Sequence, residues 1–377
     1  MPVRVCHVIT GLEMGGAETM LAKLCETLPP ERVQSTVVAL RSKGPLAMRI
    51  RGAGVRVAEL GLRPGAVPGL GDARRLRRAV SETNAQVVQA WMYHANLGAI
   101  VIRPGVPVIW NVRQTLYDIK RERHLTRAVI RCSALLSAFP SAILYNSFVA
   151  ARQHEAIGFD GSKSRVIPNG FDVTRFAPSA TSRREVRLEL GLPADAVLIG
   201  LVARAHPMKD HAMFLDAACR VAHAEKSVHF VLVGEGTERH AVLEANCPEL
   251  IGRIHALGPR EDIPRLTAAL DIACSSSAWG EGFPNILGEA LSSGVPCVAT
   301  NVGDSAQIVG DSGEMVEPGN AKGFADGILR LIRDRDRRVR LGTAGRQRII
   351  DHYSLHSVAA RYTEVYEEVS ARSPRAP

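Results

Sequence analysis

At 377 residues the chain is too long for one ordinary core and long enough for two. Its 46% hydrophobic and 23% charged residues exclude a disordered or fibrous protein, and no apolar run reaches the roughly 20 residues of a spanning helix. The net charge of +9 is uneven, with 23 Lys/Arg against 11 Asp/Glu in residues 1–170 and 24 against 27 in the remainder, so an anionic partner or surface is expected on the first half only.

Met1 to Thr10 reads as a strand rather than as a basic segment followed by a secretory apolar stretch, and the expected location is the cytoplasm. The strand Val3–Ile9 runs into Gly11-Leu12-Glu13-Met14-Gly15-Gly16-Ala17-Glu18, which opens a helix. That spacing is not the G-x-G-x-x-G of a dinucleotide site, and no acidic partner ends the next strand, Ser35–Leu40, which argues against an oxidoreductase. A tight turn is one account of the glycines. Arg74-Arg75-Leu76-Arg77-Arg78 follows, then the strand Gln86–Trp91 and Trp91-Met92-Tyr93-His94. A histidine at a strand end can serve a site, and it can equally be a satisfied structural residue. Further strands are expected at Val106–Asn111, Ala142–Asn146 and Ser164–Ile167, with Lys120-Arg121-Glu122-Arg123, Arg127 and Arg131 among them. The basic clusters read as solvated helix faces or as a surface for anionic lipid, and no motif for reading nucleic acid accompanies them.

Pro168-Asn169-Gly170-Phe171-Asp172 and the polar stretch from Pro178 to Arg184 have the chemistry of a linker. The second half repeats the alternation of strand and helix, with strands at Val197–Ala203, Val228–Val233, Ile254–Leu257, Ile272–Ser275 and Pro296–Thr300. Buried strands alternating with helices mean parallel sheets covered on both faces, and ligands of such sheets bind in the loops after the strands. After the first of these strands come Arg204 and Lys209, two cations near a helix start, a pairing suited to a pyrophosphate but also found in solvated turns. Seven cysteines lie far apart, with no CxxC pair and no Cys/His cluster at ligand spacing, and read as small buried hydrophobes rather than as metal ligands or disulfides. Leu355, Val358, Ala359, Tyr362, Val365, Tyr366 and Val369 recur at helical spacing, giving a last amphipathic helix.

The most informative segment is Glu281-Gly282-Phe283-Pro284-Asn285-Ile286-Leu287-Gly288-Glu289, between a strand and a helix. Pro284 suits a helix start, where a missing N–H costs nothing, and the amides near Asn285 and Ile286 make an anion site. Glu289, a turn further on, is placed to hold a ribose diol, and Glu281 to accept from sugar hydroxyls. Compensation of the helix dipole is the competing account, and it suits Glu289 poorly because that acid lies beyond the first turn.

Two glutamates with seven residues between them, followed by A-L-S-S-G-V-P and N-V-G-D, resemble the signature of the retaining family-4 glycosyltransferases. The resemblance extends over nearly the whole chain. It implies an α/β protein of the GT-B fold: two doubly wound Rossmann-like domains facing across a cleft, with a C-terminal crossover helix. The implied division is an acceptor-binding domain at 1–173, joined by the helix 354–370, and a donor-binding domain at 174–353. On this resemblance Arg204 and Lys209 hold the diphosphate, and Lys209-Asp210-His211 stands where many relatives have Lys-Gly. His94 and Glu281 join them as catalytic residues. Gly15, Gly16, Gly234, Leu257, Gly282, Phe283, Pro284, Asn285, Ile286 and Glu289 contact the donor. Asn146-Ser147 and Asn169 to Asp172 also match family segments, and both are explained as readily by a helix cap and a turn.

The implied activity is transfer of a sugar, with retention, from a UDP- or GDP-sugar to a glycan or lipid-linked glycan in surface polysaccharide or glycoconjugate synthesis. The basic first half would then rest peripherally on an anionic membrane face. No Asp-x-Asp stands where a metal would be held, so neither metal nor other cofactor is expected. A non-catalytic nucleotide-sugar-binding subunit and an epimerase or hydrolase on the same fold are the alternatives.

Overall fold

The structure, a computed structural model, describes residues 1–42, 44–63, 69–117, 119, 124–193, 195–238 and 247–372. The chain divides into two compact units, Met1–Gly170 with the segment from Leu355 onward, and Phe171–Ser354.

The first unit is built on seven parallel strands: β1 (Val3–Ile9), β2 (Val33–Ala39), β3 (Arg56–Glu59), β4 (Val87–Trp91), β5 (Val108–Val112), β6 (Ala142–Tyr145) and β7 (Ser164–Val166). Their order is β3-β2-β1-β4-β5-β6-β7, all in parallel register. β4, β5 and β6 are buried at every residue, which explains why they read as apolar runs interrupted only by Gln89 and Asn111. One face of the sheet packs Val5, Ile9 and Trp91 against the helix Gly16–Thr27 and the C-terminal helix Leu355–Ala371. That last helix buries Val358, Ala359, Tyr362, Val365, Tyr366 and Val369 in this core. Arg32 grips Glu367 at 3.0 and 2.7 Å, and Arg165 grips Glu368 at 2.5 and 2.7 Å, so forked ion pairs fix its outer face.

The second unit holds six parallel strands: β8 (Val197–Val202), β9 (Val228–Val233), β10 (Ile254–Ala256), β11 (Ile272–Ser275), β12 (Cys297–Thr300) and β13 (Gly313–Val316). Their order is β10-β9-β8-β11-β12-β13. The order reverses between β1 and β4 in the first sheet and between β8 and β11 in the second. In doubly wound sheets the loops after the strands at such a switch point are where ligands bind. The motif-bearing segments occupy these places.

β3 and β13 extend the expected set of strands. No described helix is long and apolar enough to cross a membrane. The clusters at Arg74–Arg78, Arg127 and Arg131 lie on the helices Leu70–Ser81 and His124–Leu135, whereas Lys120 to Arg123 lie outside the described residues.

Candidate active site

In the second unit four strand-ending loops are stitched together by backbone hydrogen bonds. After β8, Ala203 N donates to Val233 O at 2.8 Å and Ala205 N to Glu235 O at 2.7 Å; after β9, Gly234 N donates to Gly258 O at 2.8 Å. Gly234 has φ +142°, and a Cβ there would lie 2.7 Å from Arg204 N, so only glycine lets the loops after β8 and β9 approach this closely. Arg204 is exposed, with no ion pair among the described residues. Leu257 is half-buried at the end of β10, its N–H given to Leu232 O.

Lys209 ends the short 3-10 turn Pro207–Lys209, and its ammonium is paired with Glu281 from the loop after β11. Both side chains are largely buried, at 20% and 10% exposure. Glu281 also accepts from Ser277 Oγ at 2.6 Å, and Ser276 Oγ donates to the Lys209 carbonyl at 2.7 Å. Ala278 N donates to Met208 O at 2.8 Å, which ties the two loops together through their backbones. The buried serines after β11 are a part of the site that sequence reasoning missed; the signal available was Ser275-Ser276-Ser277, a hydroxyl run at the end of an apolar strand. Gly303, at φ +65°, lets the next loop lie under this one, since a Cβ there would meet Gly282 O at 2.8 Å.

The loop then enters the helix Asn285–Ser292. Pro284 is its N-cap rather than its first helical residue, with ψ 102° in the extended range. The N–H groups of Asn285 and Ile286 lie in the first turn of this helix, at the positive end of its dipole. Gly282 contributes its carbonyl, which accepts Asp304 N at 2.9 Å. Phe283 turns inward, stacked on Phe171 with ring centres 6.0 Å apart and tilted against Tyr353 at 5.9 Å. Its ring therefore serves packing, and its backbone is what it can offer a ligand. Glu289 is half-buried one turn along the helix. The structure therefore brings Lys209 and Glu281 together at this switch point, with Arg204 in the same loop as Lys209 and the helix Asn285–Ser292 following the loop of Glu281. The triplet Asp334-Arg335-Asp336 lies elsewhere, with Asp334 capping the helix Arg335–Tyr353 through Arg337 N at 2.7 Å.

In the first unit, Gly15 is the N-cap of the helix after β1 and Gly16 its first residue, and the Glu18 carboxylate lies against Gly15. That acid already compensates the helix dipole. His94 sits in the first turn of the helix Met92–Val101, after Met92 at φ +67°. It lines an apolar cavity of about 270 Å³ with Leu40, Leu62, Leu76 and Leu97. Burial, and then the positive charge of Arg41, hold its imidazole below the usual histidine range, so it is neutral near neutral pH. Arg113 escaped sequence reasoning: it stands over Trp91 at 5.8 Å, donates to Tyr362 Oη at 2.9 Å and also bonds Asn169. No signal marked it, because Tyr362 lies at the far end of the chain.

The cysteine reading needs a correction. Cys219 and Cys247 are joined as a disulfide, brought together because the helix His211–Ala224 packs beside the turn Pro248–Leu250. Cys6, Cys25, Cys274 and Cys297 are free and buried, whereas Cys132 is free and exposed.

This geometry has counterparts. Residues 14–175 match Glycosyltransferase Family 4, and residues 196–334 match Glycosyl transferases group 1. EpsF of Bacillus subtilis (strain 168) is 29% identical over 317 residues, 79% of either chain. The UDP-Gal:alpha-D-GlcNAc-diphosphoundecaprenol alpha-1,3-galactosyltransferase of Escherichia coli is 32% identical over 184 residues, 47% of either chain. Among solved structures, Anabaena Alr3699/HepE in complex with UDP superposes with a TM-score of 0.81 at 20% identity, covering 97% of this chain and 100% of that one. Two parallel-sheet α/β domains of this kind define the GT-B glycosyltransferases. Within that class the chain belongs to family 4, and it is a glycosyltransferase.

Proposed function

We propose that the protein transfers a hexosyl group, with retention of anomeric configuration, from a UDP-sugar or GDP-sugar to a lipid-linked glycan. The observation that carries this reading is the Lys209–Glu281 pair at the β8/β11 switch point, directly before the helix Asn285–Ser292. As the anomeric C–O bond breaks, negative charge gathers on the departing diphosphate. Lys209, Arg204 and the amides of Asn285 and Ile286 meet that charge, the task a metal performs in other transferases. Glu281 orients the ammonium and accepts from the sugar, and Glu289 holds the ribose. We therefore read the reaction as metal-independent, and chelation by EDTA should leave its rate unchanged.

A UDP-sugar is favoured because HepE was solved with UDP and with UDP-glucose. The lipid-linked acceptor has two supports. The E. coli relative is named for a diphosphoundecaprenol-linked substrate, and the cavity beside His94 is apolar enough for a lipid chain. With its imidazole neutral, His94 can accept a hydrogen bond from the transferred sugar or the acceptor. Retention rests on the family-4 signature. Thermal unfolding against a panel of UDP-, GDP- and ADP-sugars tests the donor site: one donor should raise the melting temperature, and Lys209→Ala should abolish the rise. An undiminished rise in that variant would refute the diphosphate assignment.

A further inference from the structure

The second unit contains a cluster of donor atoms that glycosyl transfer does not use. Cys219 and His223 lie one turn apart on the helix His211–Ala224, and Cys247 and Glu249 flank Pro248. Glu249 Oε2 is 3.4 Å from Cys247 Sγ and 4.0 Å from Cys219 Sγ, and Glu249 Oε1 is 3.3 Å from His223 Nδ1. One donor atom from each of Cys219, Cys247 and Glu249 lies within 4.8 Å of the others. A disulfide needs neither a carboxylate nor an imidazole beside it. Two thiolates, a carboxylate and an imidazole are instead a full ligand set for a closed tetrahedral zinc site. Zinc–ligand bonds of roughly 2.0–2.3 Å place the ligand atoms of a tetrahedron about 3.3–3.8 Å apart, close to the spacings around Glu249.

We propose that, once the Cys219–Cys247 disulfide is reduced, Cys219, His223, Cys247 and Glu249 bind one zinc ion. Reduction by a phosphine or dithiol adds two electrons and two protons and leaves two thiols. Zinc binding then displaces both thiol protons, so affinity rises with pH. The helix carrying Cys219 and His223 begins directly after Lys209 and Asp210, and its C-terminal end lies toward the start of β9. The site is therefore at the sheet edge remote from the strand-ending loops, where it pins the helix without touching the transfer machinery.

The test uses the full chain, reduced anaerobically with a phosphine until all seven thiols titrate in denaturant, then refolded by removal of the denaturant and titrated with Co²⁺. The expected result is one equivalent bound, with thiolate-to-cobalt charge-transfer absorption and the visible bands of tetrahedral cobalt, both bleached by zinc. The disulfide form should show neither. Cys219→Ser and Cys247→Ser should each remove the charge-transfer band. Because those variants also remove the cross-link, His223→Ala and Glu249→Gln, which keep both thiols, supply an independent reading. Each should weaken affinity by at least the roughly 10-fold that follows loss of even an outer-shell partner. A fully reduced chain that binds no cobalt, a disulfide that cannot be reduced, or a band unchanged in the Cys219→Ser/Cys247→Ser double variant would overturn the proposal.

Discussion

At residue 288 the lack of a side chain decides where the donor helix can lie. A Cβ on Gly288 would lie 2.1 Å from Cε2 and Cζ of Phe171, whose ring is buried and stacked on Phe283. Alanine in place of glycine favours a helix by about 0.5–1 kcal/mol. Overpacking against a ring that has no room to retreat costs about 1–3 kcal/mol, so the clash wins. Gly288→Ala should lower the unfolding midpoint and, by displacing the helix that starts at Asn285, shrink the donor-induced rise in melting temperature. An unchanged midpoint in a urea titration would show that Phe171 yields freely. Gly288 directly precedes the second glutamate of the signature motif, yet nothing in the sequence pairs it with Phe171. Glu281 and Lys209 are legible because each lies in a short loop after an apolar run, where chemistry can be expected without knowing any contact. Gly288, Arg113 and the Cys219–Cys247 pair depend on partners far along the chain, and local pattern carries no trace of those.

At the scale of elements, the start of the helix His211–Ala224 repays attention because Asp210 breaks a backbone rule. It is left-handed, at φ 45° and ψ 56°, and its carboxylate accepts from Met213 N at 3.1 Å. Glycine would take that conformation without strain. Asp meets the strain with a cap. Asp210→Gly should therefore fall within about 0.5 kcal/mol of the parent, the lost cap being offset by relief of strain. Asp210→Ala loses the cap and keeps the strain, at a cost of about 1–2 kcal/mol. Chemical unfolding of the two variants separates them, and equal stabilities would contradict the account. The strands show the same division between local and remote causes. β4, β5 and β11 are buried at every residue and read directly as apolar runs. β3 and β13 are four-residue edge strands, Arg-Val-Ala-Glu and Gly-Glu-Met-Val, with charged residues and exposed or half-buried positions. They are strands because a neighbour's edge accepts them, a cause that no propensity records.

The whole molecule carries buried histidines that constrain its tolerance of acid. His7 is enclosed, receiving a hydrogen bond from Trp91 Nε1 at its Nδ1 and pairing with Ser35 Oγ at its Nε2. Burial lowers its pKa from 6.5 to about 3. His154 pairs with Tyr93 Oη and the Ala150 carbonyl, each at 2.7 Å, and burial lowers its pKa from 6.5 to about 4. In the second unit, His229 and His255 stack on each other, and burial holds both below the usual range. Above pH 6.5 these groups are neutral in both folded and unfolded chains and cost nothing. As pH falls from 6.5 towards 4 the unfolded chain takes up protons that the folded one refuses, and stability falls by up to about 1.4 kcal/mol per pH unit for each such histidine. Trp91 and Trp110 are buried in the first unit and Trp279 lies in the second, so in a Trp279→Phe background the tryptophan fluorescence follows the first unit. Its thermal midpoint should drop steadily between pH 6.5 and 4, and His7→Gln should shallow the slope by close to one proton. A midpoint flat across that interval would mean that the folded first unit accepts the protons, and that the imidazole of His7 is not sealed between β1, β4 and the C-terminal helix.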